Sequence, residues 1–288
     1  MLSRFVAIAL AFWPSFSWAA EGLEPIGAII LETDAIEGVS GLEVTPDGMS
    51  FTAVTDRGWW ATGRFERSGE VISAVTLDKI APILGSDGFP VAARRIADRS
   101  DAEGLAMSPD GSAWVSFERW AHVWRYDEVF GTAQWIKDHP TFRDHADNWQ
   151  LEAAAVAPDG TVYVFSEKPL LDGFPIYRLG ADNLWTIDGY LPERDIFAIV
   201  GADFADDGAL YLLERKLVVG IWWQNRIRRV RLDGSEDVTL WTGERGEYEN
   251  LEGISVWRDD KGLRLTLVSD NNGTAGTPTQ FVEFRLTD

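Results

Sequence analysis

One stretch of nineteen residues, Asp101 to Arg119 (DAEGLAMSPDGSAWVSFER), recurs in outline four more times, and this repetition constrains the fold more than any other property of the chain. Its plan is an acidic or small polar residue, a small residue, two alternating apolar positions, a turn usually carrying Asp-Gly, a strand of alternating hydrophobes, and an acid often followed by a base. The other copies are Ser40 to Arg57 (SGLEVTPDGMSFTAVTDR), Glu152 to Lys168 (EAAAVAPDGTVYVFSEK), Val200 to Arg215 (VGADFADDGALYLLER) and Glu252 to Asn271 (EGISVWRDDKGLRLTLVSDN). Their aligned positions, Ser40, Glu103, Glu152, Val200 and Glu252, fall 63, 49, 48 and 52 residues apart. That is the spacing of a four-stranded propeller blade and too long for ankyrin or tetratricopeptide units.

Each copy reads as a hairpin with two further strands behind it. In the first, Pro46-Asp47-Gly48 makes the turn, and strands are expected around Trp60 to Phe65 and Val71 to Leu77, followed by a less periodic connection from Ile80 to Arg99. Later blades continue with His122 to Tyr126 and Ala133 to Lys137, Pro175 to Leu179 and Leu184 to Ile187, and Arg226 to Leu232 and Val238 to Trp241. The last copy supplies only one more strand, Phe281 to Leu286. The unpaired strand at Gly22 to Thr33 would complete it, closing the ring and removing two exposed sheet edges. The expectation is an all-β, five-bladed propeller in one domain over residues 21–288, with six blades as the alternative and a monomer as the assembly.

Residues 1–20 carry Arg4, an apolar run from Phe5 to Trp13, Pro14 and the small residues around Ser17 to Ala19. They read as a signal peptide cleaved near Ala19 or Ala20, which implies a periplasmic or secreted protein. That run is too short to span a bilayer. The chain has no Cys, which excludes disulfides, thiol nucleophiles and thiolate zinc sites. A net charge of −20 repels nucleic acid and attracts cations.

An antiparallel hairpin brings the start of its first strand and the end of its second to one edge of the sheet. That pairs Ser40 with Asp56, Glu103 with Glu118, Glu152 with Glu167, Val200 with Glu214 and Glu252 with Asp270, gathering carboxylates at one mouth of the channel. Glu43 and Asp203, three residues beyond Ser40 and Val200, read as out of register and facing the other side. Two carboxylates about 4 Å apart repel by roughly 4 kcal/mol at an effective dielectric near 20, so the ring needs compensation. Calcium, with six to eight oxygen ligands, is one candidate, held by Asp56, Glu103, Glu152, Glu252, Asp270 and Asn271 or Asn272. Ion pairing to Arg57, Arg119, Lys168 and Arg215 is the other.

Trp59, Trp60, Trp120, Trp222 and Trp223 follow the second strands, as an apolar rim or as packing between blades. His139 and His145, with Asp144 and Asp147, could bind metal but read as solvated loop residues. No Gly-x-Ser-x-Gly elbow, P-loop, HExxH or EF-hand loop is present, so a hydrolytic reading needs a metal-activated water and a carboxylate base.

At these residues the chain resembles the exported phytase-like family, known as esterase-like activity of phytase. SGLEVTPDGMSFTAVTDRG at 40–58, DAEGLAMSPDGSAWVSFERWAHVWRYD at 101–127, LYLLERKLVVGIWWQNRIRRVRL at 210–232 and ENLEGISVWRDDKGLRLTLVSDNN at 249–272 carry the likeness, with LEAAAVAPDGTVYVFSEK at 151–168 a looser match. The resemblance implies a propeller and an esterase or phosphoesterase label, and it maps onto Asp56, Glu103, Glu118, Glu167, Glu214, Arg215, Glu252, Asp270 and Asn271. On this reading Glu103, Glu252 and Asp270 take metal or base roles, and Arg57, Arg119 and Arg215 hold an anionic group of a small ester or phosphoester. The competing reading is a non-catalytic propeller that binds a ligand or partner.

Overall fold

The computed structural model describes residues 22–93, 101–144, 150–170, 172–220, 222–271 and 277–287. The expected leader, His145, Asp147 and Asn272 lie outside them. Twenty strands form five four-stranded antiparallel sheets, one per repeat. β1 (Gly22–Leu31) stands alone in sequence. Blade one is β2 (Val39–Val44), β3 (Ser50–Thr55), β4 (Trp59–Ser68) and β5 (Val71–Pro82); blade two is β6 (Ala102–Met107), β7 (Ala113–Phe117), β8 (His122–Tyr126) and β9 (Gln134–Trp135). Blade three is β10 (Leu151–Val156), β11 (Val162–Ser166), β12 (Phe174–Leu179) and β13 (Trp185–Leu191). Blade four is β14 (Ala198–Phe204), β15 (Leu210–Val218), β16 (Trp222–Val230) and β17 (Asp237–Thr242). Blade five is β18 (Asn250–Asp259), β19 (Gly262–Asp270) and β20 (Thr279–Thr287), with β1 hydrogen-bonded outside β20. The chain's first strand therefore completes its last blade. Among the described residues no helix is long and apolar enough to cross a membrane.

The Asp-Gly turns share one mechanism. Asp47, Asp110, Asp159 and Asp207 each accept, through Oδ1, the backbone N–H two residues on, at 2.9–3.0 Å. The glycine between takes a positive φ of 69–87°, which a side chain would resist.

Five buried apolar clusters fill the five interfaces between neighbouring blades. The closing interface adds a buried ion network. Glu283 of β20 accepts two bonds at 2.8 Å from Arg67 of β4 and one at 2.6 Å from Arg264 of β19, so blade five is tied to blade one by a forked pair away from water.

The inner strands crowd the axis. A methyl group on Gly104 would sit 2.6 Å from the Ala154 nitrogen, and one on Gly253 would sit 2.7 Å from the Ser40 oxygen. The ladder between the first two strands also slips in every blade, at Ser40, Glu152, Val200 and Glu252, and over Glu103 and Gly104. A bulge of this kind re-aims one side chain and shifts the alternation beyond it. The residues at the five slips all line the axial slit, whose volume of about 10 Å³ leaves room for no more than about one water molecule.

Gly253→Ala is expected to cost about 1–3 kcal/mol, because its new contact is with backbone rather than a flexible side chain. A urea midpoint lowered with unchanged slope would show it; an unchanged midpoint would mean that blades five and one separate freely.

Candidate functional site

The bulges place Glu103, Glu152 and Glu252 at one mouth of the slit, with Ser40 and Val200 completing the inner ring. A second ring comes from the ends of the second strands. The N–H groups of Asp56, Glu118 and Glu167 bond to the carbonyls of Gly38, Asp101 and Gln150 at 2.8–2.9 Å, and Asp270 pairs with Asn250. In blade four the residue in that register is Arg215, opposite Ala198, and not Glu214. The expected placement of Glu214 is therefore corrected by one residue. Glu214 faces the other way, fully buried within its blade, and bonds Arg226 Nε at 2.6 Å and Arg228 Nη1 at 2.8 Å.

The outer ring thus carries four acids and one cation. Arg215 ion-pairs with Glu252 and lies 3.6 Å from Glu167, and its Nη1 donates to Asn250 Oδ1 at 2.7 Å. Asn250 in turn donates from Nδ2 to Glu252 Oε1 at 2.8 Å. Trp223 stacks near the guanidinium, 5.0 Å from its ring centre. Burial works against the Arg215 cation, but Glu252, Glu152 and Glu167 more than offset it and hold its pKa above the usual value.

Beside Arg215 the carboxylates converge. Asp101, Glu103 and Glu118 present oxygens that all lie within 4.8 Å of one another, and so do Glu118, Glu152 and Glu167. Glu118 belongs to both groups. Burial, reinforced by Glu152, Glu252, Asp101 and Glu118, pushes Glu103 well above the carboxylate range. Glu152 rises for the same reason, with Glu167 adding to it and Arg215 opposing it. Burial and the charges of Asp101 and Glu167 raise Glu118 to about 8, against Arg119 and Arg215. Asp56 rises to about 7, by burial first, with Arg57 opposing and Asp101, Glu252 and Glu37 adding.

Other expected residues divide between rim and scaffold. Arg57 lies 3.5 Å from Asp56 and Arg119 lies 3.1 Å from Asp101, both half-exposed, whereas Arg215 is enclosed. Asn271 accepts the Gly38 N–H at 3.0 Å and so links blade five to blade one. Trp59, Trp120 and Trp222 are exposed, but Trp60 is wholly buried edge-on to Tyr126 and belongs to the core. Trp120 has a φ of 58°, a costly conformation for a bulky residue, directly after Arg119. His139 bonds Thr141 Oγ1 at 2.8 Å and packs beside Phe142 and Tyr177 in blade three.

Two members of the site were not singled out from sequence: Asp101, in the first triad, and Asn250, which orients Glu252. Both lie two residues before an inner-ring glutamate, a spacing that becomes informative once the bulge is known.

For Asp56 and Glu118 the folded-state pKa lies above the unfolded one, so between about pH 4 and pH 8 the folded chain binds more protons. Their contribution to stability is present at the acidic end and is lost as pH rises through the folded values. In chelator, the melting temperature is expected to fall between about pH 5 and pH 9, and Glu118→Gln to flatten that fall. A profile rising over this range would refute the burial and charge repulsion that raise these two acids.

The phytase-like family model, esterase-like activity of phytase, matches residues 34–273. No curated protein matches the chain. Among solved structures it is similar to U3-55K (12% identity, TM-score 0.47), covering 87% of this chain but only 62% of that one. It is also similar to a protein described as a candidate gluconolactonase (13% identity, TM-score 0.43), covering 93% of each chain. A nidogen/laminin complex gives 14% identity and a TM-score of 0.44, with 77% and 70% covered. With more than half of its length matched by the family model, the chain belongs to the phytase-like family.

Proposed function

We propose that the chain is an exported, calcium-assisted hydrolase of a small ester or phosphoester, working at the mouth that gathers Asp101, Glu103, Glu118, Glu152 and Glu167. Two carboxylate triads sharing Glu118 are the observation that carries this reading. Calcium binds oxygen at about 2.3–2.6 Å, so two ligands of one ion stand no more than about 5 Å apart, and both triads meet that limit. These acids are also costly to bury as they stand, and a divalent cation would replace the protons that otherwise keep them neutral. When bound, the ion would supply polarisation of the ester or phosphoryl oxygen.

The remaining roles fall to residues around the triads. Arg57 and Arg119, half-exposed beside the cluster, hold an anionic substrate group. Asp56, poised near 7, takes the proton of the attacking water. Arg215 is a positioning residue, because its fork is spent on Glu252, Glu167 and Asn250. Glu252, braced by Asn250, and Asp270, buried opposite Asn250, complete the acidic wall. Trp59, Trp120 and Trp222 offer apolar surface to the rest of the substrate. Such a site suits an uncharged ester as well as a phosphoester. The pairing of Arg215 with two ring acids favours a second reading, a binding propeller that balances its charges internally.

Calorimetric titration of chelator-treated protein with calcium separates the two. Stoichiometric binding, lost in Glu118→Gln and kept in Asp47→Asn at a distant turn, is expected. Calcium at a hundredfold excess over Kd should then stabilise the fold by about 2.7 kcal/mol. Hydrolysis of aryl esters and aryl phosphates should fall with the same variant. A flat titration, or binding that survives Glu118→Gln, would leave the binding propeller.

A further inference from the structure

The opposite mouth, on the side of the Asp-Gly turns, opens into a cavity of about 620 Å³, well within the size range of sites for small organic ligands. Its walls include Val44, Met107, Val156, Phe204, Val256 and Leu263, and its floor carries Glu43 and Asp203. These two acids stand three residues beyond Ser40 and Val200. The bulges shift the alternation between, so both reach the axial cavity rather than the far side of their strands.

The five equivalent positions are Glu43, Ala106, Ala155, Asp203 and Ser255, of which Glu43 and Asp203 line the cavity while the other three are buried between blades. Blades four, five and one supply Asp203, Ser255 and Glu43 as a polar arc, and blades two and three supply only alanine. Each polar member accepts a backbone N–H from the next blade: Glu43 from Met107 at 2.9 Å, Asp203 from Val256 at 2.6 Å, and Ser255 from Val44 at 2.9 Å. Ser255 makes this tie with a hydroxyl, and alanine omits it altogether. Asp203 also accepts the Phe204 N–H at 2.7 Å, and Ser255 hydrogen-bonds to Glu43. A buried carboxylate still costs far more than a hydroxyl, so ties that a serine also makes do not account for Glu43 and Asp203.

We propose that this mouth is a second binding site, for a small organic cation: an amine with an apolar body. The ammonium meets Glu43 and Asp203, and the hydrocarbon lies against Met107, Val156 and Phe204. Among the described residues neither acid has a Lys or Arg ion pair. The one cation on the cavity wall, Arg258, is engaged by Asp206 at 2.9 and 3.0 Å. Burial pushes Glu43 well above its usual range, with Asp203 adding to it, and raises Asp203 to about 7. A cation bound between them restores both charges. The slit, with room for no more than about one water, separates this cavity from the carboxylate triads, so the two sites are occupied independently.

The test is calorimetric titration of the full chain with 2-phenylethylamine and with its uncharged counterpart 2-phenylethanol. Saturable binding of the amine is expected, with the alcohol at least about tenfold weaker. Glu43→Gln keeps an oxygen for the Met107 N–H, and Asp203→Asn keeps one for the Val256 N–H while giving up the bond from the Phe204 N–H; each should weaken the amine about tenfold. Val156→Trp should block the cavity without touching the acids, and melting curves confirm that each variant is folded. Equal binding of amine and alcohol, amine binding indifferent to both acid variants, or no saturable binding would overturn the proposal. Calcium binding at the other mouth should be unchanged by these variants, so this proposal and the hydrolase reading fail separately.

Discussion

Five inner strands meet around an axis too narrow for side chains on every residue, and both mouths follow from that constraint. Where neighbouring strands touch, Gly41, Gly104, Gly201 and Gly253 leave backbone against backbone or against the root of a side chain, and only Ala153 carries a methyl. A straight ladder would alternate side chains into that crowded space. The bulge before each close contact instead turns one residue per blade toward the open end of the slit. Five bulges give five directed side chains, and sequence then decides what chemistry they carry.

That choice departs from symmetry in a consistent direction. Blades two, three and five bring acids in both rings, Glu103 with Glu118, Glu152 with Glu167 and Glu252 with Asp270, whereas blade four brings Val200 and Arg215. The mouth is therefore a dense anion cluster with one built-in counter-charge, Arg215, set against Glu252 and Glu167. Burial makes the cluster expensive, since every carboxylate there must be neutralised by a proton, an arginine or an added cation. A fold seeking stability alone would gain by replacing Glu103 or Glu152 with the serine or valine that blades one and four use.

The blade count, the Asp-Gly turns and the closure by the first strand were legible in sequence because each has a local signature: a repeat length, a turn residue, a missing fourth strand. Strand ends were less so. β5 runs on to Pro82 because β4 extends beside it, and β9 shrinks to Gln134–Trp135. The one-residue error at Glu214 has a definite cause. Aligned by its Glu-Arg dipeptide, blade four resembles its neighbours, but the ladder opposes Ala198 with Arg215, and only the pairing reveals it. The same effect hid Glu43 and Asp203, since simple alternation puts a residue three positions along on the opposite face, and a bulge cancels that rule. Trp60 shows the limit of proximity in sequence: it adjoins the exposed Trp59, yet a strand turns adjacent residues to opposite sides.

The closing strand also orders events in time. β1 is made before the other nineteen described strands, but its partner β20 ends at Thr287, so the first of these strands to be made is the last to find its place. Until then Gly22–Leu31 is an unpaired strand and β20 an open edge, each a template for the wrong neighbour. The pairing spans almost the whole described chain, and contacts so distant in sequence form slowly. The Arg67–Glu283 fork, whose partners are also far apart in sequence, acts as a latch on the ring: it is satisfied only when blade five has reached blade one. A ring that stops short leaves Glu283 without its Arg67 fork.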